Sequence, residues 1–204
     1  MKYLLKKIFA RIKKQSTIVI VSGLPRCGTS MMMQMLEAGG ISTVTDHLRK
    51  ADEENPRGYY EFEKVKDITE DTSWLENCNG KAIKMVSALL CYLPKSKKYK
   101  IIFMDRNMEE MLASQDSMLK RLKGKGIDIS HEEMVKKLEK HLWKVKGWLA
   151  HQSNMEVIYI NYNEVIQNPQ GNARIVHRFL GCSLDVDKML RVVDGSLYRK
   201  TNSQ

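Results

Sequence analysis

Residues 17–40, TIVIVSGLPRCGTSMMMQMLEAGG, decide how the rest of this chain is read. The β-branched run from Thr17 to Val21 predicts a buried parallel strand, and Ser22 to Ser30 forms a tight loop rich in small residues. A helix follows, with Met31, Met32, Met35 and Leu36 on its apolar faces and Ala38-Gly39-Gly40 as its stop. Strand, glycine-bearing loop and helix N-terminus aim several backbone N–H groups and the positive end of a helix dipole at one point. That arrangement suits a phosphate.

Composition sets the frame around this stretch. The chain has 204 residues, enough for one domain with a large core and no need of disulfides or metal. No run is apolar for long enough to cross a bilayer. Cys27, Cys78, Cys91 and Cys182 are scattered without a Cys-x-x-Cys pair, which excludes a disulfide framework or zinc site as the organising device and points to a reducing cytoplasm. The net charge is +10, and six of those charges lie in the first 14 residues. In MKYLLKKIFARIKK the apolar Leu4, Leu5, Ile8, Phe9 and Ile12 recur at helical spacing, so residues 1–14 are read as a basic amphipathic helix and 15–204 as the α/β domain. That helix either contacts an anionic inner-membrane surface as a peripheral anchor or packs on the domain. A mildly basic body suits an anionic ligand. No zinc-finger or RNA-recognition pattern is present, so no nucleic-acid partner is expected.

Gly23 and Gly28 have the separation found in the ATP-binding P-loop, but Thr29 stands where that loop has its lysine, and the loop's one cation is Arg26. Pro25-Arg26-Cys27-Gly28-Thr29-Ser30 resembles instead the 5′-phosphosulfate loop of the sulfotransferases, which use 3′-phosphoadenosine 5′-phosphosulfate (PAPS). Cys27 alone departs from that family's small-residue pattern. A second match follows the clearest strand of the chain, Tyr99–Asp105, at whose carboxyl end ligands of open α/β sheets bind. Arg106 and Ser114 have the Arg-x7-Ser spacing of the family's 3′-phosphate motif, and Asn107 with Glu110 has capping-box spacing for the helix between them.

Four further stretches carry looser likeness. Lys84, near the end of the strand Lys81–Val86, matches the lysine that faces the sulfuryl group in cytosolic members; their histidine base corresponds to Val86 here. Tyr162, after the strand Glu156–Asn161, matches a tyrosine that approaches adenine, with Asn163 in place of an acid. Arg199 and Lys200 imitate a C-terminal basic segment at the 3′-phosphate, and equally fit a plain basic tail. Asn55-Pro56-Arg57-Gly58-Tyr59-Tyr60-Glu61 resembles a segment of bacterial sulfotransferase-like proteins in which an acid faces the acceptor.

Together the resemblance implies one P-loop-like α/β domain, a three-layer sandwich with a parallel sheet flanked by helices. It implies sulfuryl transfer from PAPS, without a metal, to a hydroxyl or amine of a carbohydrate, lipid or small molecule. Arg26, Thr29 and Ser30 with the loop N–H groups are expected on the 5′-phosphate, Lys84 on the sulfuryl oxygens, and Glu61 or, second, His47 as the base. Two other classes stand beside this reading: a nucleotide kinase, and a non-catalytic basic protein that binds a membrane or an anionic glycan. Elsewhere the apolar spacing predicts helices over Phe62–Glu76, with Val65, Ile68, Thr72 and Leu75 on one side, and from Ser130 to about His151, while Ser42–Asp52 reads as irregular.

Overall fold

The computed structural model describes residues 17–49, 58–121 and 130–193. Five parallel strands make the central sheet: β1 (Thr17–Gly23), β2 (Thr43–Val44), β3 (Ala82–Val86), β4 (Lys98–Asp105) and β5 (Met155–Asn161), in spatial order β2-β3-β1-β4-β5. The helices are α1 (Thr29–Ala38), α2 (Met108–Arg121), α3 (His131–Leu149), α4 (Tyr162–Gln167), α5 (Pro169–Phe179) and α6 (Val186–Arg191). In β1 the side chains alternate between two cores. Val19 and Val21 pack with Met32, Met35 and Leu36 of α1, while Ile18 and Ile20 pack with Trp74, Leu75 and Phe103 on the opposite face. A strand covered on both faces is why the run from Thr17 is continuously apolar rather than alternating.

The register levels the carboxyl ends of the three inner strands. Gly23 of β1 is opposite Val86 of β3 and Met104 of β4, and Asp105 is opposite Asn161 of β5. The loop after Gly23, Ser87 after β3, Arg106 after β4 and Tyr162 after β5 therefore all start from one edge. That edge is where a ligand of such a sheet binds.

The expected helix over Phe62–Glu76 is absent. In its place are separate 3₁₀ turns at Glu63–Val65 and Ser73–Cys78. The polar residues between them supply local bonds that compete with a continuous helix: the Ser73 N–H donates to the Asp71 carboxylate at 2.8 Å, and the Trp74 indole N–H to the Asp71 carbonyl at 2.9 Å. Val65, Ile68 and Leu75 are buried as expected, so the apolar positions were legible and their period was not. Likewise Thr43–Val44, in the stretch read as irregular, forms the short edge strand, paired to Ala82 and Ile83. The helix from Ser130 forms as expected, with the Ser130 hydroxyl accepting from the Glu133 N–H at 3.2 Å. Among the described residues no helix is long and apolar enough to cross a membrane.

Candidate active site

A cleft of about 450 Å³ lies over the carboxyl ends of β1, β3 and β4. Its floor is the loop Gly23–Ser30. Gly28 has φ of 92°, and a Cβ there would come within 2.3 Å of the Tyr162 ring, so both the backbone turn and the close approach require glycine. The turn delivers the chain into α1, whose first-turn N–H groups have no partner within the helix. Arg26 also adopts the left-handed region, at φ of 69°. Cys27 points away from the cleft into the core, 1% exposed. Burial, with the charge of Asp105 adding to it, pushes its thiol pKa up to about 12, so it is inert packing rather than a ligand. Its N–H donates within the loop, to the Leu24 carbonyl.

Two polar groups occupy this cleft. At one, Arg26 Nε donates to Ser114 Oγ at 3.0 Å, and Arg106 Nη1 donates to the Arg26 carbonyl at 3.1 Å. The Arg106 guanidinium lies 4.5 Å over the Tyr162 ring and pairs at 3.4 Å with Glu110. Arg106 and Ser114 thus line the same cleft and are linked through Arg26, expected on the 5′-phosphate, whose carbonyl bonds the one and whose side chain bonds the other. Asn107 caps α2 by accepting from the Glu110 N–H at 3.2 Å. The Glu110 carboxylate, however, turns to Arg106 and Asn163.

At the other group, Lys84 Nζ lies 3.4 Å from Ser30 Oγ and 3.5 Å from the Glu61 carboxylate, and both Lys84 and Ser30 donate to the Tyr59 carbonyl. Burial holds the Lys84 pKa below the ordinary lysine value, with Glu61 opposing the shift.

The family model for the sulfotransferase domain matches residues 16–204. The chain belongs to the sulfotransferase domain family. Among solved structures, a mouse sulfotransferase complexed with PAP is similar to it at 19% identity and a TM-score of 0.55, covering 88% of this chain and 63% of that one. The sulfotransferase domain from the curacin biosynthetic pathway is similar at 14% identity and a TM-score of 0.54, covering 90% and 80%. This sulfotransferase-family chain thus spans less than two thirds of the mouse chain's length, and at these identities the likeness shows the fold. No curated protein gives a significant sequence match.

Val86, the position at which the resemblance sets a base histidine in cytosolic members, is 44% exposed at the cleft. Glu61 is the one carboxylate among the described residues that line the cleft, and no described histidine lines it. His47 is exposed on the loop after β2, and its N–H donates to Thr45 Oγ1. The remaining four histidines are bonded elsewhere, His131 to the Glu109 carboxylate at 2.9 Å, His141 to Ser87 Oγ at 2.8 Å, His151 to the Gly147 carbonyl at 2.8 Å and His177 to the Leu184 carbonyl at 2.9 Å. Sequence reading missed Arg49. Its guanidinium sits 3.4 Å over the Tyr59 ring and bonds Glu61 at 2.9 Å, a contact across an irregular loop that no local pattern announces. The helix expected over residues 1–14, and Arg199 and Lys200, lie outside the described residues. Among those described, no cluster of three or more His, Cys, Asp or Glu is assembled to hold a metal ion.

Proposed function

We propose that this chain transfers a sulfuryl group from PAPS to a hydroxyl or amine acceptor. The observation that carries the reading is the pair of anion-binding groups in one cleft, Lys84 with Ser30 beside the loop and Arg26 with Arg106 and Ser114 beyond it. They suit the two charged ends of a nucleotide bearing a 5′-phosphosulfate and a 3′-phosphate. The loop N–H groups with Thr29 and Ser30 hold the 5′-phosphate, and Lys84 faces the sulfuryl oxygens. Glu61 takes the proton of the acceptor as its oxygen or nitrogen bonds to sulfur, and the bond from sulfur to the bridging oxygen breaks with its electron pair passing to that oxygen. The product is adenosine 3′,5′-bisphosphate, the PAP bound by the mouse structure. His47, outside the lining of the cleft, is the second choice for the base, and Tyr162, Arg199 and Lys200 remain proposed nucleotide contacts.

The acceptor end is bounded by Phe62, Val65, Met85, Val86 and Leu89. Carbohydrate, lipid and small-molecule acceptors all belong in the test. Incubation with sulfur-labelled PAPS in EDTA and a panel of phenols, aliphatic alcohols, sugars and amines should give a labelled organic product and one equivalent of the bisphosphate. Magnesium-dependent phosphoryl transfer from ATP, with no labelled product, would replace this reading with a kinase. Residues 1–14 carry a separate proposal of contact with anionic membranes. Their deletion should abolish sedimentation with anionic liposomes and leave nucleotide binding unchanged; loss of folding instead would return the helix to the core.

A further inference from the structure

Beside Arg106 sits a carboxylate that an anion site has reason to exclude. Glu110 Oε2 lies 3.4 Å from both Nε and Nη2 of Arg106, along one edge of the guanidinium. Its two oxygens in turn accept from the Asn163 amide at 2.9 and 3.0 Å. Arg106 is 8% exposed, and its remaining sides are engaged too: one face over Tyr162, and Nη1 on the Arg26 carbonyl. The planar fork is therefore fixed by edge, face and tip, with its Nη1 end on the backbone of Arg26, the residue whose side chain bonds Ser114.

Two effects of Glu110 oppose each other. Its charge repels a phosphate bound at Arg106, yet its removal leaves a buried guanidinium to find another acceptor and turn away. Bidentate recognition of phosphate depends on the orientation of the fork, while a 3.4 Å contact still engages most of the pair's Coulomb attraction, so the two effects compete and the Glu110→Gln variant reads which is larger. The amide at 163 is matched to this task. An aspartate there would set two carboxylates about 3 Å apart, a separation at which both do not ionise.

We propose that Glu110, held by Asn163, is the positioning residue that sets Arg106 for the 3′-phosphate and so gives the chain its preference for a 3′-phosphorylated nucleotide. The inference rests on the reading of this cleft as a PAPS site. Calorimetry in EDTA on wild type, Arg106→Ala, Glu110→Gln and Asn163→Asp, with adenosine 3′,5′-bisphosphate and AMP as probes, tests it. Glu110→Gln should lose about tenfold of the preference for the bisphosphate while AMP affinity stays within about twofold. Asn163→Asp should show a reduced preference at about pH 8 that returns toward the wild-type value, measured at the same pH, near about pH 5.5, where the carboxylate pair shares a proton. If Arg106→Ala weakens bisphosphate binding but Glu110→Gln binds it as tightly as wild type, or more tightly, the positioning role is overturned and the PAPS reading stands. A wild type with no preference over AMP overturns the PAPS reading itself. Should Glu110→Gln fail to fold, Asn163→Asp decides: a preference that tracks wild type at both pH values rejects the inference.

Discussion

The two ends of the cleft are built from different kinds of chain. The proposed donor end stands on regular elements: β1 turning through Gly28 into α1, and β4 turning through Arg106 into α2. The proposed acceptor end draws mostly on loops and 3₁₀ turns, Arg49, Tyr59, Glu61, Phe62 and Val65 between β2 and β3 and Leu89 after β3, together with Met85 and Val86 at the end of β3. A phosphate needs N–H groups and cations at fixed separations, which a strand-loop-helix unit supplies from adjacent residues. An acceptor wall needs shape, and shape comes from tertiary packing of irregular segments. The donor end should therefore respond to substitution in affinity, and the acceptor end in turnover.

The sharpest division concerns Glu61. Glu61→Gln keeps the shape and removes the proton acceptor, so kcat should fall ~100-fold or more with little change in bisphosphate affinity. Near-normal turnover would move the base to His47 or dispense with one. Adding Val86→His to that variant restores a base at the neighbouring strand end, and a recovery of about tenfold would locate the acceptor proton between the two positions.

Lys84 sits where the two ends meet and should affect the rate through its charge. Because burial holds its pKa below the ordinary lysine value, its ammonium is lost at lower pH than that of an exposed lysine. Activity should fall on the alkaline side as pH rises through that lowered value. Lys84→Arg, which does not titrate in this range, should flatten the alkaline limb of the pH–rate profile even if its maximum is lower. An unchanged limb would detach Lys84 from the chemistry.

A smaller effect is expected in stability at the donor end. Gly28→Ala adds a methyl group at φ of 92° against the Tyr162 ring. It should cost ~1–3 kcal/mol in chemical denaturation and weaken nucleotide binding as the loop shifts. The same exchange at Gly58, which also has positive φ but nothing within 4 Å of an added Cβ, should cost less than Gly28→Ala and leave nucleotide affinity near wild type.

This contrast also explains what could be read from the sequence. The strand from Thr17 and the loop after it were legible because each depends on neighbours within one strand or one turn, and Arg106 and Ser114 were because the first two turns of α2 fix their spacing. The broken helix between Phe62 and Glu76 was not, because Val65, Ile68 and Leu75 bury equally well from a helix or from successive turns, and Asp71 decides by taking the Ser73 N–H. Arg49 was missed for a related reason: its partners Tyr59 and Glu61 meet it only after the loop has folded back. Even at the donor end, the side chain of Arg26 went to Ser114, a contact of two residues 88 apart in sequence.

Binding of adenosine 3′,5′-bisphosphate and AMP, by calorimetry in EDTA on wild type and Arg106→Ala, tests the central claim most directly. The wild type should bind the bisphosphate far more tightly than AMP. If the charge-assisted bonds of Arg106 are worth ~1.5–3 kcal/mol, the variant should lose roughly one to two orders of magnitude for the bisphosphate and almost nothing for AMP. Equal affinity of the wild-type protein for the two nucleotides would contradict the assignment of this cleft to a sulfuryl donor.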